Sequence, residues 1–205
     1  MKYVEASVRR PQLVAAAQVV LARDGVAGTA LRAVAAEAGV SLGTVQHVFG
    51  SKAELLRAVI EDVVHGIAEV LDDAAHLGSG LEFAIRDGMT GFWDILVADE
   101  VNLQIMQYEL TLYALREPGQ AELARWQYQR YGEIVASWCE NAARNAGETC
   151  AVPFDQLGRL IVSGIDGILI QYLVERDARR ARADLAATIK MLVGLADVRL
   201  APAPL

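Results

Sequence analysis

Apolar residues recur along this chain at spacings of three and four, and no segment of strand length alternates between turn signals, so the pattern predicts helices nearly throughout. Leu13, Ala17, Val20 and Leu21 share one face of a first helix, predicted over Pro11–Asp24. Pro11 suits its first position and Gly25 its C-cap. A second helix, Leu31–Ala38, is expected to take Thr29 as its N-cap and to stop at Gly39. A third opens after Ser41 and reaches Val48, and Ser51 caps a long fourth one toward Asp73. After a glycine-containing loop at His76–Gly80, further helices are expected over Leu81–Val97, Val101–Arg116, Glu117–Ala146, Phe154–Glu175 and Arg182–Val198. Pro118-Gly119 and Gly147–Pro153 punctuate them. The tail, Ala201–Leu205, reads as frayed. The tally is nine helices: an all-α chain with a three-helix head over residues 1–52 and a six-helix body over 53–205.

Composition narrows the class. The chain has 205 residues, of which 54% are hydrophobic and 22% charged. That apolar share exceeds the roughly 45–50% of an average globular chain and excludes disorder. The most apolar stretch, Leu160–Val174, is interrupted by Asp166 and falls short of the ~20 residues of a membrane span. The net charge of -7 argues against nucleic acid only as an average. Residues 1–52 hold six basic and three acidic side chains, a net +3, while the remainder holds 13 basic and 23 acidic ones, a net −10. A basic head on an acidic body suggests two tasks. Two cysteines, Cys139 and Cys150, and the absence of a signal-peptide core point to free thiols in a reducing cytoplasm.

The head has the layout of a helix-turn-helix. Ala35 is small where two helices would cross, and Gly39 can take the left-handed turn. Val40, Val45 and Phe49 would pin the third helix, leaving Leu42, Gly43, Gln46 and His47 outward on a short, mostly uncharged face suited to a major groove. The run Thr29-Ala-Leu-Arg-Ala-Val-Ala-Ala-Glu-Ala-Gly39-Val-Ser-Leu-Gly-Thr-Val-Gln-His-Val-Phe49-Gly-Ser-Lys52-Ala-Glu-Leu-Leu56 resembles the DNA-binding head of TetR-type transcriptional regulators, without a gap. The resemblance spans about residues 9–56 and implies DNA contacts from Thr29, Arg32, Ser41, Leu42, Gly43, Thr44, Gln46, His47 and Lys52, with Thr44, His47 and Lys52 on phosphates. The chain departs from the family pattern at three positions. Gln46 replaces a tyrosine, Leu42 a lysine and Val48 a histidine. Gln46 can read adenine through its N6 and N7 edge.

In the body, nine of 13 aromatic residues fall between Phe83 and Trp138. The resemblance implies an effector cavity there, for which Met89, Phe92, Trp93, Met106, Gln107, Tyr108, Tyr113, Trp126 and Tyr131 are the candidates, with Gln104, Glu109 and Asp94 as further polar groups. Toward the C-terminus, Leu157, Ile161, Gly164, Ile165, Ile168, Leu185, Ile189 and Leu192 are expected to form the two-fold seam of a homodimer, as the resemblance also implies.

Asp62-Val-Val-His65 and Asp73-Ala-Ala-His76 each pair an acid with a histidine, but they lie eleven residues apart on one helix. That is about 16 Å, too far to share a metal. No nucleophile has an evident base and no phosphate-binding glycine loop occurs, so neither an enzyme nor a cofactor is expected. The expected function is a repressor that binds a palindromic double-stranded operator as a homodimer, is released by a small apolar or aromatic effector, and has no membrane partner. The fourth helix, rooted at Lys52, would be the lever. The alternatives are a helical-bundle enzyme or carrier and a protein-binding helix-turn-helix adaptor.

Overall fold

The computed structural model describes residues 6–73, 79–98 and 101–201, with side chains from residue 9 and without those of 70–73. Nine helices occur among the described residues: α1 (Ala6–Gly28), α2 (Leu31–Glu37), α3 (Leu42–Val48), α4 (Lys52–Asp73), α5 (Leu81–Ala98), α6 (Val101–Arg116), α7 (Ala121–Ala146), α8 (Phe154–Glu175) and α9 (Ala178–Ala196). The expected loop at 76–80 lies outside the described residues up to 78, as does most of the C-terminal tail.

Several boundaries move for local reasons. α1 starts one turn before Pro11, so the proline sits inside it. The stop at Gly25 is real: its φ of 71° breaks the helix, although a last turn continues to Gly28. α7 begins after the turn at Gly119, not at Glu117. α9 begins earlier than expected, because Asp177 caps it by accepting the Arg180 N–H at 3.0 Å. A two-residue antiparallel pair, β1 (Glu148–Thr149) with β2 (Arg199–Leu200), was not foreseen, being too short to show a period.

The described residues form two compact units. Unit one comprises α1–α3, α4 to His65, and residues 101–127 with α6. Its core joins Leu13, Ala17, Val20 and Leu21 of α1 to Val34, Val45, Phe49, Leu55 and Val59, and also to Met106, Leu110 and Ala114 of α6. The α1 face chosen by periodicity is therefore the buried one. Unit two comprises the end of α4, α5, α7 from Tyr128, α8, α9 and the β pair. Within it, the Glu148 carboxylate accepts the Leu81 N–H at 2.7 Å and so caps α5 from a distant strand. α8 alone among the described helices is long and apolar enough to cross a membrane by length and composition. Its Leu157, Ile161, Ile165, Ile168 and Leu169 are, however, buried against protein.

Candidate nucleic-acid interface

The turn between α2 and α3 follows from its residues. Gly39 adopts φ 65°, the left-handed conformation that a glycine takes without a Cβ penalty. The Val40 N–H then donates to the Ala35 carbonyl at 2.9 Å and the Gly39 N–H to Ala36 at 3.2 Å, closing α2 with a Schellman motif. Ser41 caps α3 by accepting the Thr44 N–H at 3.1 Å. Ser51 does the same for α4 through the Glu54 N–H, while Glu54 reaches back to the Gly50 N–H at 2.9 Å. Val45 and Phe49 are fully buried, and the Arg10 guanidinium stacks on the Phe49 ring at 4.9 Å. These anchors leave Leu42, Gly43, Gln46 and His47 outward, together with Ser41; Arg32 of α2 is exposed as well.

Three expected contacts are placed differently. Thr29 is only 3% exposed, and its hydroxyl donates to the Gly25 carbonyl at 2.7 Å instead of capping α2, whose N-cap is Ala30. The Thr44 hydroxyl is engaged with Ser41. The Lys52 ammonium donates to the Val26 carbonyl at 2.6 Å, and burial lowers its pKa from the ordinary lysine value.

The profile described as "Bacterial regulatory proteins, tetR family" matches residues 13–59, and that described as "Tetracyclin repressor-like, C-terminal domain" matches residues 84–195. The chain belongs to the TetR family of transcriptional regulators. It is 31% identical to the HTH-type nicotine-responsive transcriptional repressor HdnoR of Paenarthrobacter nicotinovorans, over 82% of this chain and 84% of that one. It is 38% identical to the HTH-type transcriptional regulator BetI of Paraburkholderia phymatum, over 87% and 88% of the two chains. The multidrug binding protein EbrR, solved with ethidium, has the same fold, with a TM-score of 0.68, 24% identity and coverage of 92% and 98%. TetR-family regulators bind DNA and small-molecule effectors.

The effector candidates of this TetR-family chain divide between the two units. In unit one, Met106 is buried in the core, Gln107 and Tyr108 are half-buried, Tyr113 packs against the head core, and Trp126 is 38% exposed. The Gln107 amide donates to Gln104, which is itself buried, and the Gln104 Nε2 has no hydrogen-bond partner. In unit two, Met89, Trp93 and Tyr131 are buried and Phe92 is half-buried. Two further polar candidates are occupied elsewhere: Asp94 pairs with Arg182 at 2.7 Å, and Glu109 accepts the Val26 N–H.

Helical spacing singles out neither Tyr172 nor Asp166 of unit two as a functional group. Tyr172 meets Trp93 edge-on at 5.8 Å between ring centres. Asp166 takes a hydrogen bond from the Tyr128 phenol, which itself stacks edge-on with Tyr131. An acid inside the most apolar helix was the available signal for Asp166. The eight residues expected at a dimer seam also need correction: all but the half-buried Gly164 lie buried within one chain. The Gly164 position abuts Thr188 of α9 in the same unit. The outward apolar residues of these helices are instead Leu160, Ile170, Val174, Met191 and Leu195.

Asp62 accepts a hydrogen bond from Gln18, and the His65 ring nitrogen lies on the Glu61 carbonyl. His76 of the second acid–histidine pair lies outside the described residues. Among the described residues no three metal-ligating side chains gather.

Proposed function

We propose that this TetR-family chain is a homodimeric repressor that binds a palindromic operator and lets go when a small aromatic effector enters its body. The observation carrying the reading is the outward face of α3. Leu42, Gly43, Gln46 and His47 project from a helix held by Ser41, Val45 and Phe49. A short uncharged helix of this kind enters a major groove, with Gln46 pairing an adenine edge and Gly43 allowing close approach. Arg32, His47 and the one O–H left to donate in the Ser41–Thr44 hydroxyl pair would contact the flanking phosphates. Residues 1–52 act as the DNA-binding part and 53–205 as the effector and dimer part, in the cytoplasm.

One relative is a nicotine-responsive repressor and one structural neighbour was solved with ethidium, and both favour an aromatic ligand. Met89, Phe92, Trp93 and Tyr131 are proposed as effector-lining residues within unit two, and Met106, Gln107, Tyr108, Tyr113 and Trp126 within unit one, where the Gln104 Nε2 offers a donor to a ligand's acceptor atom. The dimer would use the stripe Leu160, Gly167, Ile170 and Val174 with Met191 and Leu195. A Cβ at Gly167 would meet open space, so the stripe is free of its own chain there.

A salt-titrated gel shift against duplexes enriched from a random pool tests the reading. Repression requires tight, salt-dependent binding, and Gln46→Ala is expected to weaken the enriched duplex about tenfold or more while sparing random DNA, as a lost bidentate base contact does. No salt-dependent binding would favour a protein-docking adaptor, and turnover of a small molecule would favour an enzyme or carrier.

A further inference from the structure

Gly25 interrupts the hydrogen-bond ladder of α1 with φ 71° and ψ 169°. The next N–H, that of Val26, therefore loses its usual helical acceptor, although Val26 is only 7% exposed. The carboxylate of Glu109, from the middle of α6, accepts that N–H at 2.9 Å. The Val26 carbonyl in turn accepts the Lys52 ammonium at 2.6 Å. Thr29 closes the turn from below, its N–H and hydroxyl both donating to the Gly25 carbonyl at 3.1 and 2.7 Å. A Cβ at position 25 would stand 3.1 Å from the Glu109 carboxylate, so the glycine serves both the turn and the close approach.

Val26 thus carries a negative group on its N–H and a positive group on its carbonyl, each of the sign that strengthens the bond. Val26 leads through Thr29 into α2, the entrance of the helix-turn-helix. Lys52 opens α4 three residues after Phe49, its exit. The Lys52–Val26 bond joins entrance to exit, and Glu109 ties that junction to α6. The lever expected from sequence was α4 alone.

We propose that Glu109 is a positioning residue for DNA binding: its carboxylate sets the angle at which α1 hands over to the helix-turn-helix and gives α6 a direct hold on that junction. The inference rests on reading the head as operator-binding.

Two measurements on the full-length protein test it. In amide hydrogen exchange without DNA, Glu109→Ala is expected to speed exchange at Val26 and across residues 29–49 at least tenfold, leaving α8 and α9 unchanged. In binding, the same variant is expected to lose at least tenfold affinity for a duplex enriched by the wild-type chain, with affinity for a random-sequence duplex within twofold. Glu109→Gln, which keeps an acceptor, is expected to restore the enriched-duplex affinity to within threefold. Equal losses on both duplexes would reduce Glu109 to a stability role and overturn the proposal, as would unchanged exchange at Val26. Should the alanine variant not fold, Glu109→Met fills the volume without an acceptor and is held to the same thresholds. If no duplex is enriched, the operator reading fails separately, and the exchange result still decides whether Glu109 holds the turn.

Discussion

Gly158 of α8 lies against Gly132 of α7 backbone to backbone: a Cβ at position 158 would stand 2.5 Å from the Gly132 carbonyl oxygen and 2.8 Å from the Ala136 nitrogen. The crossing has no flexible side chain that can yield. Gly158→Ala is expected to cost about 1–3 kcal/mol by overpacking, a fall of roughly 2–12 °C in melting temperature for a chain of this size. Gly91→Ala on α5 of the same unit meets open space and is expected not to lower it, since alanine favours a helix by about 1 kcal/mol over glycine. Thermal melts of the two variants make the comparison, and equal losses would contradict it.

Lys52 is committed to Val26, so it is not expected to serve as a phosphate contact. Lys52→Met should weaken binding to an enriched duplex by loosening the helix-turn-helix, yet leave the slope of log affinity against log salt unchanged. Each phosphate contact contributes about 0.9 to that slope. A drop of about one in the variant would return Lys52 to the phosphate backbone.

Asp166 carries a pH signature. Burial pushes its carboxyl above the usual aspartate range more than the Tyr128 hydrogen bond pulls it down. The folded state therefore holds the proton more tightly than the unfolded one. Stability is favoured below the unfolded carboxyl range and declines as pH rises through the folded value. Asp166→Asn removes this cost and keeps an acceptor for Tyr128, so it should raise the denaturant midpoint at pH 7 with a gain that shrinks toward pH 4. A gain independent of pH would rule out the carboxylate as its source.

The two cysteines should react unequally. Cys139 is fully buried, and burial pushes its thiol up to about 12, whereas Cys150 is half-buried and both are free. A thiolate reagent at pH 8 is expected to titrate one equivalent in the folded protein and two in denaturant. Two fast equivalents in the folded state would show that Cys139 is accessible.

Val174 is 77% exposed and Met191 67% exposed, on the outward faces of α8 and α9. Val174→Lys is expected to shift the mass in solution from dimer to monomer without lowering the melting temperature of the monomer by more than a degree or two, as surface changes cost within about 0.5 kcal/mol. Ile165→Lys, aimed at the buried face, should instead unfold the body. A dimer retained by Val174→Lys would place the seam elsewhere.

The helices, the turn and the family were legible in the amino-acid order alone. Those features are local: Gly39 needs only its own φ, Ser41 and Ser51 cap helices three residues away, and a 3.6-residue period selects the buried face of α1 unaided. Periodicity was silent where apolar residues wrap a helix on all sides. On α8 it could not separate Leu157, Ile161 and Ile165, which pack inside the chain, from Leu160, Ile170 and Val174, which do not. Nor could spacing reveal which distant group meets an orphaned backbone atom. Sequence alone offers Glu109 as a pocket side chain and Lys52 as a phosphate contact, because exposed-looking charges carry no record of their partners. Three-dimensional packing assigned both. Breaking α1 at Gly25 strands the polar groups of Val26 in a buried turn, and the nearest charges of the right sign come from residues 26 and 83 positions away.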